Sequence, residues 1–569
     1  MRSPVLSLLA GLACVVMMPP LAGAVEAPGH QHYDKPEGYD RPSQGGPIAP
    51  RLQNLGTHVF KVTTKSERAQ TFINQGVNLA YGFNHAEAAR AFAEAARLDP
   101  GCAMAYWGHA LALGPNINVP MNPEDEPKAH ALARKAMALK SSATPRERAY
   151  IEAVAVRYTG RPEDRRNADR AFAGAMRKVV DDHPDDLDAA AMFAESLMDL
   201  RPWNYWSRDN KPYPETEEIL RTLQSVLERN PNHPGAVHYW VHLWEPTHTP
   251  EKAEAEADRL LTLVPGAGHL VHMPGHIYAR VGRYADVIKA NRMAIAADED
   301  YISQCRAQGI YPLGYYPHNI HFLWLGATMA GQSRLAIDSA KKTAKVIPPD
   351  ALKQMPFLQG FLAVPYWAKV RFGRWDEVLS EKAPGHDTLF LRGVWHYARA
   401  SAFIGKRRLE DAEQELEQLR NVVADPALAK EPASFSANSA ETILRIAPEV
   451  VAGEIAAKKG DIDRALLHLE RAVRFEDALI YTEPPDWHAP VRQTLGAVLL
   501  AAGRPGEAEV VYWEDLRRNP ENGWSLFGLA QSLRDQGKEG EAADVEKRFR
   551  RAWADADVRL VSSRSTAFD

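Results

Sequence analysis

The chain has 569 residues, 45% hydrophobic and 25% charged, with 40 Pro and 37 Gly. That composition excludes a disordered or collagen-like protein and is enough to bury a sizeable core. The formal net charge of −5 comes without a basic block, so the sequence carries no footprint for following nucleic-acid phosphates.

In chain order, residues 1–24 combine Arg2, an apolar run from Val5 to Met18, a Pro19-Pro20 break and Ala22-Gly23-Ala24. This is the pattern of a secretory signal with a small-residue cleavage site, and it predicts a mature chain starting at Val25 in the periplasm or outside the cell. The run is too short to span a bilayer and no later stretch approaches the needed length. Gly11-Leu12-Ala13 before Cys14 is a poor match to a lipidation site, which leaves plain cleavage. Cys102 and Cys305 remain, giving at most one disulfide and no thiolate metal cluster.

Residues 25–66 are rich in Pro and Gly and are expected to form an extended leader. His30 and His32 belong to it and are read as solvated.

From about Thr71 to Trp553, apolar residues recur at spacings of 3 and 4 with short turns between runs. The pattern predicts an all-α fold over 67–555, with helix pairs stacked into a curved superhelix, followed by a tail, 556–569. First helices of the pairs are expected near 69–81, 103–113, 187–200, 234–245, 268–281, 317–330, 355–371, 389–404, 441–459, 488–502 and 522–536. Such pairs cannot bury their apolar faces alone and must stack, which creates a concave inner wall.

Six histidines come in three pairs: His238 and His242, His272 and His276, His318 and His321. The first two pairs are separated by a helix-pair repeat length, member for member. Spacing of i,i+4 or i,i+3 puts both rings on one helix face, and adjacent helix axes lie about 8–10 Å apart. An ion bonded at roughly 2.0–2.1 Å to each nitrogen bridges that gap. The six are therefore candidate metal ligands, with His269 a possible addition. All-nitrogen donors suit copper, zinc or iron and disfavour magnesium and calcium.

Glu245 is a candidate catalytic base, ligand or anchor for an imidazole. Glu195, Glu483 and His488 are possible additional site residues, Glu483 and His488 on condition that the superhelix curls round. Asp199 would add a carboxylate beside Glu195, and Tyr278 and Asn319 are weaker supporting candidates. His58, His130, His183, His386 and His468 are read as isolated polar histidines, and His248 as peripheral. Pro274 stands between His272 and His276, where it either kinks a helix or begins one. The aromatic stretch from Arg201 to Pro214, and residues 300–316 with Tyr311, Tyr315 and Tyr316, are expected to roof the groove.

The repeat resembles the tetratricopeptide repeat, whose 34-residue unit places small residues at 8, 20 and 27, an aromatic at 24 and Pro at 32. Gly76, Ala88, Phe92, Ala95 and Pro100 match all five, and Gly496, Ala508, Tyr512 and Pro520 match four. The resemblance implies that positions 2, 5, 9, 12 and 13 of each first helix line the groove. In that register His238 and His242 occupy 5 and 9, His269, His272 and His276 occupy 2, 5 and 9, and His318 and His321 occupy 2 and 5.

The strings from Pro265 to Tyr278 and from Tyr316 to Phe322 further resemble a family of exported microbial tetratricopeptide-repeat proteins, which implies a fold but no reaction. Two functions follow. One is an exported metalloprotein with transition-metal chemistry in the groove, acting on a small molecule or peptide. The other is a non-catalytic scaffold that binds a protein, peptide or metal ion.

Overall fold

The structure, a computed structural model, describes residues 46–567 except 306, 308, 309, 386, 387, 435 and 436. The signal segment, His30, His32 and His386 lie outside the described residues. The fold is all-α: tetratricopeptide-like helix pairs follow one another from Glu67–Tyr81 with His85–Leu98 to Gly523–Asp535 with Glu539–Ala552.

The small and aromatic residues of the repeat explain why the pairs stack. A Cβ at Gly76 would sit 2.7 Å from the Phe92 ring, and one at Gly108, in the next unit, 2.2 Å from the same ring. Phe92 is therefore a wedge that two glycine-bearing helices close upon. Tyr512 plays the same part between Gly496 and Gly528, at 2.5 and 2.2 Å. Truncating such a fully buried aromatic costs about 3–5 kcal/mol.

The observed helices match the expected first helices to within a few residues, with two differences. A pair formed by Pro145–Arg157 and Arg165–Asp182 was not expected; its charged sequence, with Pro145 and Pro162 at the starts, hides the apolar stripe. Two first helices are also broken in the middle, Gly268–His272 from Pro274–Val281 and Ala440–Leu444 from Ile446–Lys459.

The described part of the leader is bound to the first unit rather than solvated. Its backbone amides at Leu52, Phe60 and Val62 donate to Gln75, Asn74 and Gln70. At the other end Trp524 Nε1 donates to the Thr328 carbonyl at 3.0 Å, and Asp557 Oδ1 accepts from the Ser333 amide at 2.6 Å. The last unit thus closes on the middle of the chain, as the first does where the Tyr81 carbonyl meets His238, and Tyr481 reaches Glu245 beside the histidine-bearing helices. Cys102 and Cys305 are buried free thiols. Among the described residues, no helix is long and apolar enough to cross a membrane.

Candidate metal centre

Three first helices carry the histidines: Pro234–Trp244, the broken helix Gly268–His272 and Pro274–Val281, and Tyr316–Met329. The break is gentle, because Met273 keeps helical angles (φ −52°, ψ −36°) and Pro274 begins the next segment, where a missing N–H costs little. The third helix is entered through a π-helical turn, Tyr311–Tyr315, a form that recurs at functional sites.

The rings gather into two groups. Ligand nitrogens of His238, His242 and His269 lie within 4.8 Å of one another, as do those of His272, His276 and His318. All six are buried or half-buried.

The tautomers follow from what each Nδ1 meets. His238 Nδ1 lies 2.6 Å from the Tyr81 carbonyl oxygen, and His242 Nδ1 lies 2.6 Å from Glu245 Oε1. His276 Nδ1 contacts Glu245 Oε2 and lies 3.2 Å from Glu483 Oε2. Carbonyl and carboxylate oxygens accept, so these Nδ1 atoms carry the proton. His272 Nδ1 lies 2.7 Å from Asn291 Oδ1, and the Asn291 amide is oriented by its own donation to the Val287 carbonyl at 2.9 Å.

In the neutral form of each of these four rings the lone pair is therefore on Nε2. Anchoring one ring nitrogen on an acceptor while the other stays free is how proteins orient imidazole ligands.

Several of the ring nitrogens meet no protein hydrogen-bond donor. His238 Nε2, His242 Nε2 and both ring nitrogens of His269 are buried without hydrogen-bond partners, at a cost of about 1–3 kcal/mol for each such group. His272 Nε2 and His276 Nε2 face each other at 2.8 Å. Two lone pairs repel at that distance unless a proton or a cation stands between them. The separation is close to the roughly 2.9–3.3 Å that two nitrogens take on one ion bonded at about 2.0–2.1 Å.

Electrostatics keeps most of these rings neutral, the form that binds metals. Burial first, and then neighbouring imidazoles, hold His238, His269, His272 and His318 well below the usual histidine range. His276 is the exception: burial alone would lower it, but Glu245 and then Glu483 raise it to about 10. Burial would likewise raise Glu245, yet His276 and His242 bring it down to about 2.

The expected candidates divide clearly. Glu245 has both oxygens engaged by ring nitrogens, so it holds two imidazoles and is not placed as a free general base. Glu483 joins the site from the 480–486 segment, held by the Tyr481 hydroxyl. His269 is a full member of a group. His321 is not: it stacks on Trp324 at 5.1 Å and meets Phe361 edge-on.

His488 stacks on Trp367 and its Nε2 lies 3.0 Å from the Tyr397 hydroxyl, away from the metal-type groups. Glu195 faces the Arg157 guanidinium and the like-charged Asp199, which is itself ion-paired with Arg157. Tyr278 donates to Asp258, and His248 is exposed. Asn319 donates to Asp298, which also accepts from Tyr311, whose hydroxyl receives the His269 amide.

Sequence reasoning missed Phe83 and Asn291. Phe83, in the turn after the first helix, has φ +55° and packs its ring 4.5 Å from His238 and 5.6 Å from His269. A bulky residue in the left-handed region is strained and clusters at sites. Asn291 is on a second helix, off the groove stripe. Its one signal is a glycine: a Cβ at Gly275 would lie 2.9 Å from Asn291 Nδ2.

The groups floor a cavity of about 420 Å³. Trp203, Tyr315, Phe361, Trp367 and Phe390 line its walls, with the 480–486 segment across it, and among the described residues no lysine or arginine lines it. Trp203 meets His242 edge-on at 5.2 Å, and Tyr315 meets His269 at 4.8 Å. Both expected roofing segments therefore contribute an aromatic ring.

No family model matches the chain, and no curated protein matches it. Solved structures that align with it include a human IFIT1 dimer with m7Gppp-AAAA, at 14% identity over 87% of this chain and 92% of that one, with a TM-score of 0.31. The P58(IPK) TPR domain aligns at 13% identity over 83% and 98%, with a TM-score of 0.23. The Cut9-Hcn1 hetero-tetramer of the APC/C aligns at 13% over 86% and 78%, with a TM-score of 0.29.

Proposed function

We propose that this chain is an exported metalloprotein that binds a transition metal, such as copper, zinc or iron, through concave-face histidines and uses it for chemistry on a small molecule. The observation that carries the reading is the 2.8 Å approach of His272 Nε2 to His276 Nε2, with both Nδ1 atoms committed to acceptors. The donor set supports the fit: neutral nitrogen ligands with oriented second partners suit these metals. Export rests on the signal pattern of residues 1–24.

The residues of the chain define the rest of the function. His272, His276 and His318 would hold an ion, which when bound would supply Lewis-acid or redox chemistry. Glu245 and Asn291 fix ring orientation. Trp203, Tyr315 and the 480–486 segment wall the cavity beside the rings. A cavity of about 420 Å³ is in the range of small-molecule sites, and its aromatic walls, with no lysine or arginine among the described lining residues, suit a largely apolar small molecule.

Elemental analysis of protein purified without an affinity tag tests the reading. Near-stoichiometric transition metal is expected, lost in a His272→Ala, His276→Ala double variant that keeps its helical circular dichroism. No metal in either protein would overturn it and leave the non-catalytic scaffold.

A further inference from the structure

Resting on that metal reading, we infer that the centre holds two ions side by side, one for each histidine triad, with their open positions facing a single cavity. The two triads share no member: His238, His242 and His269 form one, and His272, His276 and His318 the other. Each brings three imidazoles within reach of its own point, which matches the three protein ligands plus one open position of many catalytic ions.

The triads are neighbours. His242 and His276 have ring centroids 6.3 Å apart, and His269 and His272 are 6.0 Å apart. A single carboxylate ties them together, since Glu245 takes His242 on Oε1 and His276 on Oε2. One ion at the His272–His276 pair leaves the buried nitrogens of His238, His242 and His269 without partners, whereas a second ion satisfies them.

The cavity draws on both triads equally. His242 and His269 from one and His276 and His318 from the other line it. A ligand oxygen entering there meets two metals together, the arrangement by which paired ions clamp one reacting group. His238 and His272, the deeper members, are anchored on the Tyr81 carbonyl and on Asn291.

The experiment loads tag-free full-length protein with excess copper(II), removes unbound metal and counts copper per chain. The inference expects two. A His238→Gln, His269→Gln variant and a His272→Gln, His318→Gln variant should each retain one. Electron paramagnetic resonance should show less spin per copper in the wild type than in either variant, because adjacent copper(II) ions couple.

One copper per chain in the wild type overturns the two-ion centre while leaving the metalloprotein standing. Zero overturns both. Two coppers with full, uncoupled spin overturn the side-by-side placement. The wild-type count decides even if a variant fails to fold.

Discussion

Among the described residues, metal-type side chains collect at the His58–Asp188–His233 cluster and at the histidine triads, and the two places differ in what their nitrogens meet. In the first, His58 Nε2 lies 2.8 Å and His233 Nε2 3.2 Å from one oxygen of Asp188, to which the Tyr81 hydroxyl also donates at 2.7 Å. His233 Nδ1 accepts the Ala236 amide, so its proton is on Nε2, pointing at the carboxylate. This cluster is held on one carboxylate, by hydrogen bonds from His58 and Tyr81 and an ion-pair contact from His233. In the two histidine triads four Nδ1 atoms face acceptors at Tyr81, Glu245 and Asn291, and the Nε2 atoms of His272 and His276 face each other, while neither nitrogen of His269 has a hydrogen-bond partner. Crowding of histidines is common to both, and what the ring nitrogens meet separates them.

Breaking the Asp188 cluster should have the largest effect, and on stability alone. Asp188→Ala leaves buried donors unpaired and should lower stability by roughly 3–5 kcal/mol, read as a shift in the urea midpoint, with metal content per folded chain unchanged. Burial would raise the Asp188 pKa, but hydrogen bonds from His233 and His58 hold it well below the carboxylate range. A depressed folded pKa means that its contribution is complete above about pH 4 and fades on acidification. Loss of metal in this variant would erase the contrast.

Glu245→Ala should do the reverse. It frees two Nδ1 atoms, one in each triad, and removal of such an anchor weakens metal affinity about 10–100-fold. Glu245→Gln should fall between, since one amide oxygen still accepts from one ring. Competition with a chromophoric chelator reads the affinity, and an Ala variant with wild-type affinity would deny Glu245 its orienting part.

The same carboxylate sets a pH dependence. With Glu245 and Glu483 raising His276 to about 10 against the effect of burial, the metal-free pair holds a proton at neutral pH. A metal ion must displace it. Affinity should therefore climb about tenfold per pH unit from neutrality until the pH reaches that value, with proton release seen as buffer-dependent heat in calorimetry. In metal-free protein the sign for stability is opposite: the contribution is present below the ordinary histidine pKa of about 6.5 and lost as pH rises through about 10.

Much of this was legible in the sequence because a helical repeat writes its inner face at fixed intervals. The stripe carried His238, His242, His272, His276 and His318 to one wall, and the glycine and aromatic positions fixed the stacking through Phe92 and Tyr512. What the stripe cannot carry is anything off the first helices. Phe83 enters from a strained turn, Asn291 from a second helix, and Tyr81 through a backbone carbonyl that any residue would supply. Glu483 is distant in sequence and arrives only because the superhelix closes on itself. The stripe also carried His321 to the cavity wall, where it stacks on Trp324 and stays outside both close groups.

His321 gives the smallest expected effect and the sharpest control. On an α-helix a residue three positions on is turned by roughly 60° from its predecessor's face, and His321 there lies flat on Trp324, with burial lowering its pKa to about 3. A phenyl ring can occupy that stack, so His321→Phe should change metal affinity by less than about threefold, the difference of a few tenths of a kcal/mol expected when no ligand is lost. His318→Phe, one turn earlier on the same helix, removes a nitrogen from the His272–His276 group and should weaken binding far more. Chelator competition on the two variants side by side compares a ligand with a packing residue of identical chemistry. Equal losses would mean that His321 also reaches the ions, and the boundary between the site and its supporting core would have to move outward by one helical turn.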